Sequence, residues 1–221
     1  ILVVTSDKCY ENREIDYGYR ETDPMGGHDP YSSSKGCAEL VASSYRRSFL
    51  NDLGIGIASV RAGNVIGGGD WAGDRLIPDI LRSFELNKAV IVRNPDASRP
   101  WQHVLEPLSG YLLIAQKLYK NHEEYSGGWN FGPDERDVKP VNWILNKMIS
   151  YWPDSSWKLD NNINPHEAGF LKLNISKAKD RLNWRPIWVL EKALYFGIRP
   201  GKMKKICKLY VLQKLKSIQR I

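Results

Sequence analysis

The stretch DPYSSSKGCAEL, Asp29–Leu40, is the most informative part of this chain. Asp29 followed by Pro30 is typical of a helix start, because Asp caps free backbone N–H groups and Pro fits the first helical position. Tyr31 and Lys35 lie four residues apart, which places both side chains on one face of that helix. A lysine ammonium beside a phenol favours the phenolate, so the pair indicates a tyrosine that accepts a proton.

A predicted strand about two dozen residues before Tyr31 contributes a second set of polar side chains. The apolar run ILVV at residues 1–4 is typical of a parallel strand buried on both faces, and Ser6, Asp7 and Lys8 follow it. A Tyr with a Lys four residues later also occurs by chance on helix surfaces, where it has no chemical role. The hydroxyl and carboxyl at the strand end favour the functional interpretation.

The helix and the strands beside it predict a β-α-β unit. Four apolar residues between Ala38 and Phe49 fall on one stripe of a helix predicted over residues 30–51, and Gly54 ends it. IGIASVRAGNVIG, at residues 55–67, then indicates a second buried strand. Strand, helix and strand in this order predict an α/β fold with a parallel sheet.

Beyond residue 67 the sequence predicts further short strands and helices. Gly67-Gly68-Gly69 has no following Gly-Lys-Ser/Thr, so it predicts a loop beside the site and not a P-loop. Strands are predicted before residues 94 and 133. Helices are predicted at 77–86, within 101–120, at 141–151 and after Ser176, which is interpreted as a helix cap.

The positive charge of the chain is concentrated at its C-terminus. The net charge is +7, yet residues 199–221 hold eight Lys and Arg and no acid, which leaves 24 basic and 25 acidic residues in 1–198. The neutral body disfavours nucleic-acid binding. The basic tail has two interpretations: an amphipathic helix for a membrane surface or a partner, and a helix docked on its own domain, which is favoured.

The composition is that of an ordinary globular protein, with 42% hydrophobic and 11% aromatic residues. No apolar run approaches the ~20 residues that span a bilayer, so no membrane association is expected and the predicted location is the cytoplasm. The three cysteines show no CxxC spacing, which argues against a disulfide framework and a metal site. Small buried apolar residues are the favoured interpretation of all three.

Six segments together resemble the extended short-chain dehydrogenase/reductase family, and within it the nucleotide-sugar epimerases and dehydratases. They are TSDKCYENRE, PMGGHDPYSSSKGCAELVASSYR, SVRAGNVIGGGDWAGDRLIPDILRSF, RPWQHVLEPLSGYL, WNFGP and HEAGFLKL, in this order between Ile1 and about Trp188. The resemblance implies NAD as cofactor and CDP-glucose as small-molecule substrate. The implied reaction is dehydration to CDP-4-keto-6-deoxy-glucose for deoxysugar and O-antigen synthesis, by a homo-oligomeric full-length enzyme.

The glycine-rich fingerprint of that family is absent from these 221 residues, because no GxGxxG or GxxGxxG follows a strand. The chain is therefore similar to the C-terminal part of such an enzyme and is expected to be inactive by itself. Residues 1–66 predict the C-terminal half of a Rossmann-like domain. Residues 67–198 predict mainly a smaller α/β substrate-binding domain, with the helix in 101–120 packing back on the sheet, before the basic tail 199–221.

The resemblance implies catalytic roles for five residues. Tyr31 would take the proton of the sugar C4 hydroxyl, and Lys35 would favour its phenolate and bind the nicotinamide ribose. Ser6 would hydrogen-bond the C4 oxygen. Asp7 would protonate the departing C6 hydroxyl, which requires a carboxyl kept protonated by burial. Lys8 stands where related dTDP-sugar dehydratases carry a glutamate base, and this departure from the family pattern leaves the base at C5 unassigned.

The resemblance also implies substrate contacts. Asn64 and Arg99 would bind the diphosphate, a geometry that suits a guanidinium, although a solvated salt bridge is the alternative for Arg99. Arg75 and Leu76 fall where the family closes over the nucleotide base. His103 receives no role, since a lone histidine is more often a satisfied core residue.

Other functions stay open on the sequence. The missing fingerprint favours a non-catalytic remnant or an interaction protein. An epimerase or dehydratase for another nucleotide sugar fits the same motifs. Nucleic-acid binding is a further alternative, and the basic tail is the only feature of the sequence that favours it.

Overall fold

The central sheet of the chain consists of parallel strands with helices around it, as a computed structural model of residues 1–162 and 168–198 describes it. Residues 163–167 and the predicted basic tail 199–221 lie outside the described residues. The α/β class predicted from the sequence is confirmed.

Helices and short strands alternate along the described residues. The strands are β1 (Leu2–Val4), β2 (Ala58–Ala62), β3 (Val65–Ile66), β4 (Val90–Val92), β5 (Ser98–Pro100), β6 (Gln102–His103), β7 (Gly127–Phe131), β8 (Val138–Pro140) and β9 (Trp157–Leu159). The helices are α1 (Pro30–Tyr45), α2 (Leu76–Glu85), α3 (Leu105–Lys120), α4 (His122–Tyr125), α5 (Val141–Ile149), α6 (Ser176–Leu182) and α7 (Leu190–Gly197). Short 3-10 turns cover Asp7–Cys9 and Glu135–Asp137.

The strand β2 lies in the middle of the central sheet, whose order is β1-β2-β7. Val60 of β2 stands opposite Val4 of β1 and Trp129 of β7, and both pairings are parallel. Three two-stranded pairs, β3-β6, β4-β9 and β5-β8, lie outside this sheet. Because the described β1 pairs only with β2, it is an edge strand.

The predicted burial of the first strand on both faces is wrong. Val4 is 57% exposed, and the preceding Ile1 is 59% exposed. A parallel strand is buried on both faces only where elements cover both of them. The described residues leave part of this edge uncovered.

The two faces of β2 differ in chemistry. Ala58 and Val60 join an apolar core with Leu113 and Ile114 of α3. The alternate residues of the strand are polar and buried, and they contact α1 on the opposite face. The sheet is therefore packed against α3 through apolar side chains and against α1 through polar ones.

The helix α1 begins where the sequence predicts. The Asp29 carboxylate accepts a hydrogen bond from the Ser32 backbone N–H at 3.0 Å, with Pro30 as the first helical residue. The α-helix ends at Tyr45 and continues as a π-helical turn, Arg46–Leu50. Gly54, in the left-handed region at φ +66°, follows.

The apolar stripe of α1 does not face the sheet. Val41, Tyr45 and Phe49 are each more than half exposed. The buried residues of the helix are Ser32, Gly36 and Glu39. The face of β2 beneath α1 is polar, so the polar side of the helix is the complementary one.

A second apolar core lies among α2, α5 and α7. Its fully buried members include Ile80, Ile144 and Leu194. The predicted cap Ser176 is instead the first residue of α6, and its backbone N–H donates to Asn174 Oδ1 at 2.9 Å. The burial expected of the cysteines holds for Cys9 but is wrong for Cys37, which is exposed, and Cys207 lies outside the described residues.

No helix in residues 1–162 and 168–198 is both long and apolar enough to cross a bilayer.

Candidate active site

A glycine brings α1 close to the turn that carries Asp7. A Cβ atom on Gly36 would lie 3.0 Å from the Gly26 carbonyl oxygen and 3.3 Å from that of Cys9. Both distances are tighter than ordinary contacts, so only glycine lets the helix approach this closely. Gly36 directly follows Lys35, and the close approach therefore occurs at the level of the Tyr31 and Lys35 pair.

Tyr31 and Lys35 share one face of α1, as the spacing predicts. The Lys35 ammonium lies 5.6 Å from the centre of the Tyr31 ring. Tyr31 is 53% exposed and Lys35 is half-buried. The phenol is therefore open to an approaching ligand, with a cation beside it.

Ser6 and Asp7 form a buried pair at the end of β1. The Ser6 hydroxyl donates to Asp7 Oδ1 at 2.9 Å and accepts from the Lys8 backbone N–H at 3.2 Å. This second bond caps the 3-10 turn, Asp7–Cys9. The strand end therefore fixes both side chains, and it leaves Lys8 exposed.

The Asp7 carboxyl is poised to hold a proton. Burial raises its pKa from 3.8 to about 6, although the hydrogen bond from Ser6 and the charges of Lys8 and Arg99 act in the opposite direction. Asp7 Oδ2 is buried and has no hydrogen-bond partner among the described residues. A carboxyl with one unpartnered buried oxygen suits proton donation to a bound ligand.

A second glycine adjoins this carboxyl. A Cβ atom on Gly63, in the loop after β2, would lie 3.0 Å from Asp7 Oδ2 and only 2.3 Å from Pro100 Cγ. Any larger residue at position 63 would have to displace the carboxyl or the proline ring. The loop after β2 therefore forms a close wall beside Asp7.

Arg99 is buried, not solvated. It lies on β5 with 5% of its surface exposed, and it donates to the carbonyl oxygens of Ser98 at 3.0 Å and Ala168 at 2.5 Å. Its charge lowers the pKa of Asp7. The structure thus brings Arg99 into the surroundings of the strand-end carboxyl.

The other predicted substrate residues lie on the loops and helix starts after β2. Asn64 is half-buried, and its carbonyl oxygen accepts from the Gln102 backbone N–H at 3.0 Å. Arg75 is exposed and pairs with Asp70 at 3.0 Å. Leu76 is the half-buried first residue of α2. The described hydrogen bonds and ion pairs do not join these three residues to Tyr31 or Asp7, so their roles stay predictions.

Sequence reasoning missed a buried ionic cluster between α1 and the sheet. The Glu39 carboxylate accepts hydrogen bonds from Thr5, Ser59 and Arg61. Two signals could have found it: Glu39 follows Lys35 by four residues, and Ser59 and Arg61 alternate with apolar residues in an otherwise apolar strand. We call Thr5, Glu39, Ser59 and Arg61 the Glu39 clamp.

His103 is a core residue, as the sequence favours. It is 1% exposed, its Nδ1 accepts from the Leu105 backbone N–H at 3.2 Å, and its ring lies 4.8 Å from that of Trp188. Burial lowers the pKa of His103 to about 4, so the ring is neutral at physiological pH. Across residues 1–162 and 168–198, no three His, Cys, Asp or Glu side chains are grouped so that they could hold a metal.

Comparison with known protein families decides where the chain belongs. The sequence profile of the family described as GDP-mannose 4,6 dehydratase matches residues 1–195. The chain belongs to that family.

A curated relative in this family is very similar in sequence. The chain is 61% identical over 200 residues to a protein named CDP-glucose 4,6-dehydratase from Salmonella typhimurium strain LT2. The match covers 88% of this chain and 56% of that protein. The chain thus spans little more than half the length of this relative.

Solved structures of low sequence identity share the fold. A dTDP-glucose 4,6-dehydratase from Bacillus anthracis, in complex with NAD, has a TM-score of 0.75 to this chain at 19% identity. The aligned region covers 92% of this chain and 61% of the Bacillus anthracis chain. A UDP-glucuronic acid 4-epimerase from Bacillus cereus, in complex with UDP-glucuronic acid and NAD, has a TM-score of 0.76 at 17% identity. Its aligned region covers 93% of this chain and 61% of the Bacillus cereus chain.

Proposed function

We propose that this chain carries the proton-transfer and substrate-binding part of an NAD-dependent dehydratase that converts CDP-D-glucose to CDP-4-keto-6-deoxy-D-glucose. The observation that carries the proposal is Asp7, a buried carboxyl with a pKa of about 6 on the turn that contacts the helix of Tyr31 and Lys35. The choice of CDP-glucose rests on the 61% identity to the Salmonella protein of that name.

The first step removes the hydrogen on C4 of the sugar and the hydrogen of the C4 hydroxyl. The chemistry that NAD supplies when bound is reversible hydride transfer at the sugar. Tyr31 takes the proton of the C4 hydroxyl as the C4–H bond breaks, and the Lys35 cation stabilises the phenolate that accepts it. The Ser6 hydroxyl, which donates to Asp7 Oδ1 in this structure, turns to donate its hydrogen to the C4 oxygen, which becomes a carbonyl.

The second step eliminates water across C5 and C6. The C4 carbonyl acidifies C5, which loses its proton to a base, and a C5–C6 double bond forms as the C6–O bond breaks. Asp7 gives its proton to the departing hydroxyl, which leaves as water. Return of the hydride to C6 and of a proton to C5 completes the product, so no net oxidation occurs. Lys8 is proposed to orient substrate or charge in this step.

The residues present fit the nicotinamide end of NAD. The half-exposed Tyr31 phenol and the Lys35 ammonium are hydrogen-bond donors on one helix face, which suits ribose hydroxyls. The glycine-rich turn that normally holds the pyrophosphate is not in these 221 residues. This chain therefore offers contacts to one end of the cofactor.

The substrate contacts are proposed on the loops after β2. The buried guanidinium of Arg99 and the Asn64 side chain would bind the diphosphate. Arg75 and Leu76 would close over the nucleotide base, and the exposure of Arg75 supports this. The division into residues 1–66 and 67–198 is part of the proposal, and the contacts of Leu113 and Ile114 with the sheet support the packing of α3 back on it. The first apolar core also takes members from β7 and α6, such as Phe131 and Leu182, so the unit around the sheet extends beyond residue 66.

Assembly and location belong to the proposal as well. The exposed apolar side chains of α1, including Val41, Tyr45 and Phe49, support a homo-oligomeric full-length enzyme, because contiguous apolar surface marks interaction sites. The unpaired Cys9 and Cys37 are ordinary in a reducing cytoplasm. Supply of a deoxysugar precursor for O-antigen or other lipopolysaccharide is the proposed use of the product.

The test supplies the missing glycine-rich part. A chimera would join the N-terminal part of the Salmonella relative to this chain and be incubated with NAD and, separately, CDP-glucose, dTDP-glucose, UDP-glucose or GDP-mannose. We expect loss of one water from CDP-glucose, detected by mass spectrometry and by the C6 methyl signal in NMR. If the chimera turns over only another nucleotide sugar, that sugar would replace CDP-glucose as the proposed substrate. Binding of a nucleotide sugar without any turnover would support an interaction protein.

A further inference from the structure

We propose that Glu39 is a positioning residue for the reaction proposed above. Its carboxylate fixes the helix that carries Tyr31 and Lys35 against the strand end that carries Ser6 and Asp7. The inference rests on the proposed function. It adds a residue that touches neither substrate nor cofactor and acts through the geometry of those that do.

Both oxygens of the Glu39 carboxylate are fully used. Oε1 accepts from the Thr5 hydroxyl at 2.5 Å and from Arg61 Nε at 2.8 Å. Oε2 accepts from the Ser59 hydroxyl at 2.5 Å and from Arg61 Nη2 at 2.7 Å. Hydrogen bonds to an ionised group are short and directional, so four of them fix the position of the carboxylate closely.

The clamp links two segments of the chain that carry proposed catalytic residues. Glu39 follows Lys35 by one helical turn, on the same side of α1. Thr5 directly precedes Ser6. A single hydrogen bond between Thr5 and Glu39 therefore joins the helix of the proposed proton acceptor to the strand end of the proposed proton donor.

The clamp is buried and stays ionised. Glu39 and Arg61 are 5% and 3% exposed. Burial acts to raise the pKa of Glu39, but the hydrogen bonds and charge of Arg61 outweigh it, and the pKa lies below its ordinary value. An apolar pair of similar volume often stabilises a fold at least as well as a buried ion pair. What the ionic clamp adds is one defined arrangement of helix and strands.

The far side of the clamp is anchored to β7. Arg61 Nη1 donates to the Tyr10 hydroxyl at 2.6 Å, and that hydroxyl donates to Asn130 Oδ1 at 2.7 Å. Asn130 in turn donates to the Tyr19 carbonyl oxygen at 2.8 Å. Arg61 is thus held on its other side by Tyr10 and, through it, by Asn130 of β7.

The test compares two single hydrogen bonds to the same carboxylate. Thr5→Val removes the bond that reaches the strand end, and Ser59→Ala removes a bond that reaches only β2. In the chimera we expect Thr5→Val to lower kcat about tenfold with KM changed less than about twofold, since small misplacements of reacting groups cost rate. We expect Ser59→Ala to change kcat less than about threefold, and Thr5→Ser to restore it.

A second measurement needs no turnover. Hydrogen exchange of the backbone amides of Lys8 and Cys9, which donate to Ser6, reports the order of the strand end in the 221-residue chain itself. We expect faster exchange in Thr5→Val than in Ser59→Ala or Thr5→Ser. Equal exchange in all three variants would overturn the inference, as would equal kcat in Thr5→Val and Ser59→Ala. Failure of the proposed function would appear differently, as an inactive unaltered chimera.

Discussion

The Lys35 ammonium lies over the face of the Tyr31 ring, 5.6 Å from its centre. This geometry places the cation against the ring face and not in a direct bond to the hydroxyl. The hydroxyl of a half-exposed Tyr31 is therefore left for a ligand.

Tyr31→Phe tests the proposed proton acceptor. In the chimera with CDP-glucose we expect kcat to fall at least about a hundredfold with little change in substrate affinity, the loss typical of one general acid/base group. Tyr45→Phe, an exposed tyrosine on the same helix, is the control and should leave kcat unchanged. Full turnover by Tyr31→Phe would remove this residue from the mechanism.

Lys8→Met tests the departure from the family pattern. If the ammonium orients substrate or charge, elimination should slow while oxidation at C4 survives, so the absorbance of reduced nicotinamide should accumulate. Deuterium exchange at C5, followed by NMR, measures the same step. Lys88→Met, another exposed lysine, is the control. Unchanged deuterium exchange in Lys8→Met would exclude Lys8 from elimination.

Asp7→Asn should stabilise the fold at neutral and alkaline pH. The folded-state pKa of Asp7 is raised from 3.8 to about 6, so stability from this group is full below pH 3.8 and is lost as pH rises through about 6. An uncharged amide avoids that loss. We expect the free energy of unfolding to rise by up to about 3 kcal/mol near pH 8, and by almost nothing near pH 4.

Urea unfolding at both pH values measures this difference. Asp52→Asn, on the exposed turn after α1, is the control substitution. Activity of the chimera should fall in Asp7→Asn even though the protein is more stable, which is the trade-off expected if Asp7 is the proposed proton donor. A less stable Asp7→Asn near pH 8 would contradict the assignment.

His103 should limit stability in acid. Burial lowers its pKa from 6.5 to about 4, so the unfolded chain takes up a proton between these values that the folded chain does not. Stability is lost as pH falls through this range, by about 3 kcal/mol in full. His103→Asn keeps an acceptor near Leu105 and should remove most of that loss in urea unfolding. His122→Asn is the control and should leave the loss of stability in acid unchanged.

The 221-residue chain alone should bind NAD only weakly. Without a glycine-rich turn and its helix N-terminus, the contacts that normally hold the pyrophosphate are missing from this sequence. We expect a millimolar or weaker Kd by calorimetry and no dehydration of CDP-glucose. The chimera provides the comparison. A micromolar Kd for the chain alone would show that its cofactor site is more complete than its motifs indicate.

Local chemistry made much of α1 predictable. Asp29 and Pro30 mark its start through capping and a fixed φ, and the spacing of Tyr31 and Lys35 sets their common face whatever the rest of the fold does. The parallel pairing of β1 with β2 follows from the strand-helix-strand order. These features depend on a few neighbouring residues each, and the sequence contains all of them.

The burial pattern could not be predicted in the same way. Hydrophobic periodicity finds the stripe of Val41, Tyr45 and Phe49, but it does not say which partner covers that stripe, and the sheet meets the opposite side of α1. The close approach at Gly36 and the wall that Gly63 forms beside Asp7 join segments far apart in sequence. Such contacts are set by tertiary packing, and no local rule reports them.

The Glu39 clamp also bears on the order in which the chain is assembled during synthesis. All four of its residues, from Thr5 to Arg61, lie within the first 61 positions, whereas β7 begins only at Gly127. A nascent chain can therefore close the clamp before the third strand of the sheet has left the ribosome. The helix and the strand end would then be aligned early, and the later segments would pack onto a preformed unit.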